Sequence, residues 1–98
     1  MKREDKMDGA PLSDETQRRV EMMFTGKALL TATEILAVEC GNNLPFLEDL
    51  SPVELERFRF AALKLSEGRI DLLREAVELA KTDWRDLLVA AGFADDIQ

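Results

Sequence analysis

Few residues in this chain could carry chemistry. It has no histidine and no tyrosine, and a single cysteine, Cys40. The commonest general acid/base and metal ligand is therefore missing. Cys40 follows Glu39 at the end of a predicted helix, where the negative end of the helix dipole disfavours the nucleophilic thiolate. It reads as a small core or interface residue instead. Carboxylates are abundant, with 20 Asp and Glu. Glu75 with Glu78, and Asp83 with Asp86, stand three residues apart and share a helical face, the spacing from which helical Mg²⁺ sites are built. In so acidic a chain such pairs arise readily by chance, and a solvated face accounts for them. The sequence holds no phosphate loop, zinc pattern, EF-hand loop or nucleophile elbow. It therefore assigns no catalytic, cofactor-binding or metal-ligating residue and implies no cofactor.

Charge narrows the classes of partner. The net charge of −7 repels polyanions unless basic groups are segregated. They are not segregated: Arg57, Arg59, Lys64, Arg69 and Arg74 alternate with Glu54, Glu56, Glu67, Asp71 and Glu75. Such alternation reads as a solvated face laced with weak pairs three and four residues apart. A helix-turn-helix over 65–91 would need a recognition helix rich in Arg, Asn or Gln, and TDWRDLLVAAG offers one Arg and two Asp. No nucleic-acid partner is expected. The longest apolar stretch, Ala28 to Cys40, is too short for a bilayer and carries Glu34 and Glu39. No membrane contact is expected, and the lone cysteine without a signal-like segment points to the cytoplasm.

The elements that position these residues are helical. Of 98 residues, 46% are hydrophobic and 34% charged, and Gly and Pro are sparse. Ala, Leu, Glu, Lys and Arg dominate, so the expected class is all-α, a small bundle of three main helices. Residues 1–12 lack apolar periodicity and read as a disordered arm, followed by one helical domain over 13–93 and a frayed acidic tail, 94–98. Ser13 is an N-cap, and Thr25-Gly26 kinks or splits the first helix. Ser51, Pro52 and Glu54 form a capping box with proline in the first turn, and Gly68 ends that helix. Leu55, Phe58, Ala61, Ala62 and Leu65 share one of its faces; Val53, Phe60 and Leu63 form a second stripe, so the helix is expected to be sandwiched. Ile70, Leu73, Val77, Ala80, Trp84, Leu87 and Ala91 recur at 3,4 spacing. One kinked helix over 69–91 is favoured over two short ones divided at Thr82-Asp83, a candidate N-cap inside the seam. It is expected to fold back on 51–67 as an antiparallel αα-hairpin, with Trp84 as an interior anchor and Phe93 packed on Leu88.

With chemistry eliminated, the sequence favours a small interaction or oligomerisation module without catalytic activity of its own. A metal-dependent or accessory hydrolase using helix carboxylates stands second, and a nucleic-acid-associated regulator third. The segment from Lys27 to Cys40 is apolar almost all round. Leu29, Leu30, Ile35, Leu36 and Ala37 are thus the candidate interface of a homodimer, because one hairpin should leave some of them facing water.

Overall fold

Local signals set the helix boundaries. In the computed structural model, which describes residues 10–92, Ser13 accepts from the Thr16 amide and opens α1 (Asp14–Met23). Phe24 is extended and Gly26 is left-handed at φ +59°, so the chain breaks before α2 (Gly26–Glu34). The first predicted helix is split, not kinked. α2 runs into a π-helical segment, Ile35–Asn42, in which Cys40 and Gly41 leave helical geometry. A 3₁₀ turn at Leu47–Asp49 leads to α3 (Pro52–Ser66). There the capping box forms as read: the Glu54 amide donates to Ser51 Oγ at 3.2 Å, and the Ser51 amide donates to Glu54 Oε1 at 2.9 Å.

Glu67 and Gly68 are both left-handed and close α3. Gly68 is at φ +79°, which favours glycine, and a Cβ there would also press at 3.3 Å on the Met23 carbonyl oxygen. After this turn come α4 (Ile70–Thr82) and α5 (Trp84–Ala91). The reading of one helix over 69–91 is corrected: Asp83 is extended, and its carboxylate caps α5 by accepting from the Arg85 and Asp86 amides. The seam nevertheless keeps its phase, with Leu73, Val77, Ala80, Leu87 and Ala91 buried and Ile70 and Trp84 half-buried. The described residues thus form five α-helices and no strand. Phe93, the tail 94–98 and residues 1–9 of the expected arm lie outside the described residues.

α2 lies against α1, α4 and the π-helical segment, whereas α3 packs on α1, α4, α5 and the π-helical segment. Leu55, Phe58, Ala61 and Ala62 are buried on its inner face. The Phe58 ring stacks on Trp84 at 5.5 Å between centroids and meets Phe46 edge-on at 6.1 Å. Offset and edge contacts of this kind contribute beyond the area they bury, by about 0.5–1.5 kcal/mol.

The other inner side of α3 is polar. Arg59, read from the sequence as part of a solvated face, is fully buried. Its Nε donates to the carbonyls of Leu36 and Cys40, each at 3.1 Å. Its Nη1 donates to Pro11 O at 2.9 Å and to Glu56 Oε2 at 2.7 Å, and its Nη2 donates to Ala10 O at 2.8 Å. The second Glu56 oxygen accepts from Ser13 Oγ at 3.0 Å and from the buried Thr16 hydroxyl. Of the arm expected over 1–12, Ala10–Leu12 are therefore held: the Ala10 amide also donates to Ala37 O at 2.8 Å. Gly41 makes room for this, since a Cβ on it would lie 3.0 Å from Arg59 Nη2.

Removing the guanidinium would take the donor from four carbonyls and the cation from the Glu56 carboxylate. Arg59→Met is expected to cost about 3–5 kcal/mol by urea denaturation. Arg59→Lys should recover little, because a point charge cannot reach acceptors arrayed around a planar fork. A loss below about 1 kcal/mol for either substitution would contradict this account.

A second ion pair, Lys81 with Glu39, ties α4 to the π-helical segment, with Asn43 also donating to Glu39. The Lys81 ammonium, and after it the Asn43 amide, hold the Glu39 carboxyl below its ordinary value of 4.5. A depressed carboxyl adds stability that is fully present above 4.5 and is lost as pH falls through its lower folded value. The stability gap between the wild type and Glu39→Gln should thus be constant from pH 4.5 up to the alkaline range in which Lys81 titrates, and close below 4.5. A gap that persists unchanged into acid would exclude this linkage.

Candidate interaction surface

Of the groups singled out for chemistry, Cys40, Asp83 and Glu78 are buried or engaged, while Glu75 and Asp86 are exposed. Cys40 is fully buried, and burial pushes its thiol up to about 12, only partly opposed by the Arg59 charge. Asp83 is spent as the α5 cap, and Glu78 reaches Lys81 at 3.4 Å. No group of three or more His, Cys, Asp or Glu stands close enough to hold a metal ion among the described residues. Likewise no helix there is long and apolar enough to cross a membrane.

The five candidate interface residues are not brought together on one open surface. Ile35 and Leu36 are buried in the chain's own core, where the π-helical segment meets α3 and α4. Leu29 and Ala37 are half-buried, and Leu30 alone is open at 72% exposure. The reason for placing a dimer interface on this helix is thereby removed. Leu30 and Val89 stand as large exposed apolar residues on different helices, and singly scattered ones are ordinary.

A different surface is left uncovered, on α3. Val53, Arg57, Phe60 and Lys64 follow one another at spacings of four, three and four, and so form a ridge along one side of the helix. Val53 is 73% exposed, Phe60 half-buried, and the third member of the predicted stripe, Leu63, buried. α1 lies beside this ridge and runs in the same direction: Ser13 meets Glu56, the Arg19 guanidinium sits 4.8 Å from the Phe60 ring centroid, and Met23 ends against Gly68. Between α1 and α3 are two clefts that share Phe60. One, of about 500 Å³, is bounded by Pro52, Val53 and Arg57; the other, of about 460 Å³, by Met22, Met23 and Lys64. On the far side of the ridge, Val53 and Arg57 also border a cleft of about 490 Å³ with Phe46, Leu50, Phe58, Trp84 and Leu88.

Trp84 is thus half-buried and lines a cleft, where the sequence suggested an interior anchor. The three aromatics of that cleft, with Asp49 and Glu54 on its edge, have the composition of a cation-binding cage. Their geometry does not suit one. Phe58 is stacked on Trp84, and the Arg85 guanidinium lies 5.2 Å from the Trp84 ring centroid, so the indole has little π-surface left for a ligand cation.

Sequence reasoning identified the Val53, Phe60 and Leu63 stripe but expected it to be covered. A signal against that was present: Arg57 and Lys64 fall within the stripe, and two cations on a dry interior face would need partners. No protein-family model, no curated protein and no solved structure matches the chain.

The burial of Cys40 has a direct readout. Ellman's reagent should leave the native thiol unreacted and titrate it fully in guanidinium, because the neutral, enclosed thiol is a poor nucleophile. Rapid stoichiometric labelling of the native chain would show an accessible thiolate.

Proposed function

We propose that the chain is a small helical interaction module without catalytic activity of its own, and that it docks its partner on the α3 ridge. The observation that carries this reading is the ridge itself, which leaves Val53 73% exposed and Phe60 half-buried between clefts on both sides. Met22, 84% exposed on the neighbouring α1, extends the same apolar surface. Large apolar side chains gathered on one face, with charged residues around them, are the usual mark of a contact surface. In the finer reading that accompanies this proposal, α3 and α4 are an antiparallel αα-hairpin, with α5 set back across it. The hairpin then serves as the rigid platform for the ridge.

Affinity capture from the native host, with Val53→Asp and Leu30→Asp compared with the wild type, tests the docking face. Val53→Asp should reduce the captured protein at least about tenfold, as expected when a central apolar contact is lost, and Leu30→Asp should leave it unchanged. The opposite pattern would move the docking face to α2. Calorimetric titration with Mg²⁺ or Mn²⁺ should give no binding heat; measurable heat would favour the carboxylate hydrolase over this reading.

A further inference from the structure

One wall of the docking cleft is held by a segment that is itself lightly held. The cleft of about 500 Å³ has a wall from α3, with Val53, Glu56, Arg57 and Phe60, and a second from the start of α1, with Ser13 and Glu15. The second wall stands on Glu56. One Glu56 oxygen accepts from the Ser13 amide at 3.4 Å, from the Ser13 hydroxyl at 3.0 Å and from the Thr16 hydroxyl. The other accepts from Arg59 Nη1, which also donates to Pro11 O, while Nη2 donates to Ala10 O. The Arg59–Glu56 pair therefore fastens both Ala10–Pro11 and the first turn of α1. The Ala10 amide, donating to Ala37 O at 2.8 Å, adds a third backbone hydrogen bond to the segment. Pro11 is exposed and Ala10 and Leu12 are half-buried, so little apolar area backs these bonds. Segments of that kind open locally, at a lower free energy than the whole fold.

Resting on the docking face proposed above, we infer that Ala10–Ser13 is a latch on that face: fastened, it sets the α1 wall of the cleft, and released, it takes that wall away and weakens docking. The covalent path between latch and wall is short. Ser13 ends the latch and is also the N-cap of α1, accepting from the Thr16 amide at 3.1 Å. When Ala10 and Pro11 leave Arg59, water reaches the guanidinium, and solvation weakens its pair with Glu56. Glu56 then holds Ser13 and Thr16 less firmly, and the uncapped first turn of α1 frays. α3, α4 and α5 pack on one another and stay folded. Ala10, Pro11 and Leu12 do not line the cleft, so the latch supports its wall and does not cover its mouth. A preformed wall spares the partner the cost of ordering it, so docking favours the fastened state. By linkage, a docked partner in turn holds the latch closed.

The test is amide hydrogen exchange, read by NMR on the full chain. Ala10 reports the latch through its bond to Ala37 O, and Thr16 and Gln17, whose amides donate to Ser13 Oγ and Ser13 O, report the first turn of α1. Leu63, buried in α3, reports the core. Ala10, Thr16 and Gln17 should share one protection factor, at least about tenfold below that of Leu63. Ala10→Pro removes the amide that bonds Ala37 O; it should speed Thr16 and Gln17 at least about threefold and leave Leu63 unchanged. Ser13→Gly, which takes the hydroxyl from Glu56, should speed Ala10 by a similar factor. Of the protein whose capture depends on Val53, Ala10→Pro should retain at most about a third. Thr16 and Gln17 unmoved by Ala10→Pro, or Ala10 unmoved by Ser13→Gly, would overturn the latch and leave the docking face standing. A shared opening with full capture by Ala10→Pro would overturn its control of docking. Capture that Val53→Asp does not reduce would instead remove the docking face, and with it the role of the latch.

Discussion

A buried guanidinium is the constraint on which this fold turns. Placing a charge in the interior costs several kcal/mol unless its hydrogen-bonding groups are answered there. Arg59 is answered by the carbonyls of Ala10, Pro11, Leu36 and Cys40 and by the Glu56 carboxylate. Those carbonyls need it as much as it needs them. Where Cys40 and Gly41 leave helical geometry, the Cys40 carbonyl accepts from Arg59 Nε, and a buried carbonyl left unpaired would itself be expensive. Two liabilities, a desolvated charge and a broken helix end, cancel one another. Gly41 leaves the space in which they meet.

The same arrangement distributes the sides of α3. One inner side is taken by Arg59 and Glu56, which hold the beginning of α1 through Ser13 and Thr16. The other is taken by Leu55, Phe58 and Ala62, which pack in the core with α4 and α5. α1 is short and its start is fixed at Glu56, so it flanks the ridge without crossing it. The exposed ridge is thus a geometric result of how the interior was satisfied.

What the sequence revealed was what neighbouring residues decide among themselves. The Ser13 cap, the Ser51–Glu54 box, the break at Thr25-Gly26 and the turn at Gly68 all rest on interactions within a few residues, and each stands where it was read. The break at Asp83 had a local signal, a candidate N-cap at Thr82-Asp83, but the unbroken heptad phase outweighed it: α5 resumes with Leu87 and Ala91 in phase with α4. Arg59 escaped for a deeper reason. Nothing local distinguishes it from Arg57, two residues away, because most of its acceptors belong to segments between 19 and 49 residues distant. The burial of Ile35 and Leu36 escaped in the same way. Counting the faces a hairpin can cover did not allow for α3 and α4 both closing over Ile35 and Leu36.

The separation between Arg59 and its acceptors also orders events in time. α3, α4 and α5 are consecutive in the chain and can associate over short loops, whereas Ala10 and Arg59 close a loop of 49 residues. Until that loop closes, the guanidinium must keep its water. Assembly is therefore expected to proceed from the C-terminal helices toward the N-terminal segment, opposite to the direction of synthesis. On the ribosome, Ala10 and Pro11 emerge first and wait for Arg59, some fifty residues behind. The side chain's water leaves only when that early segment arrives, so a stretch made before α3 is placed after it.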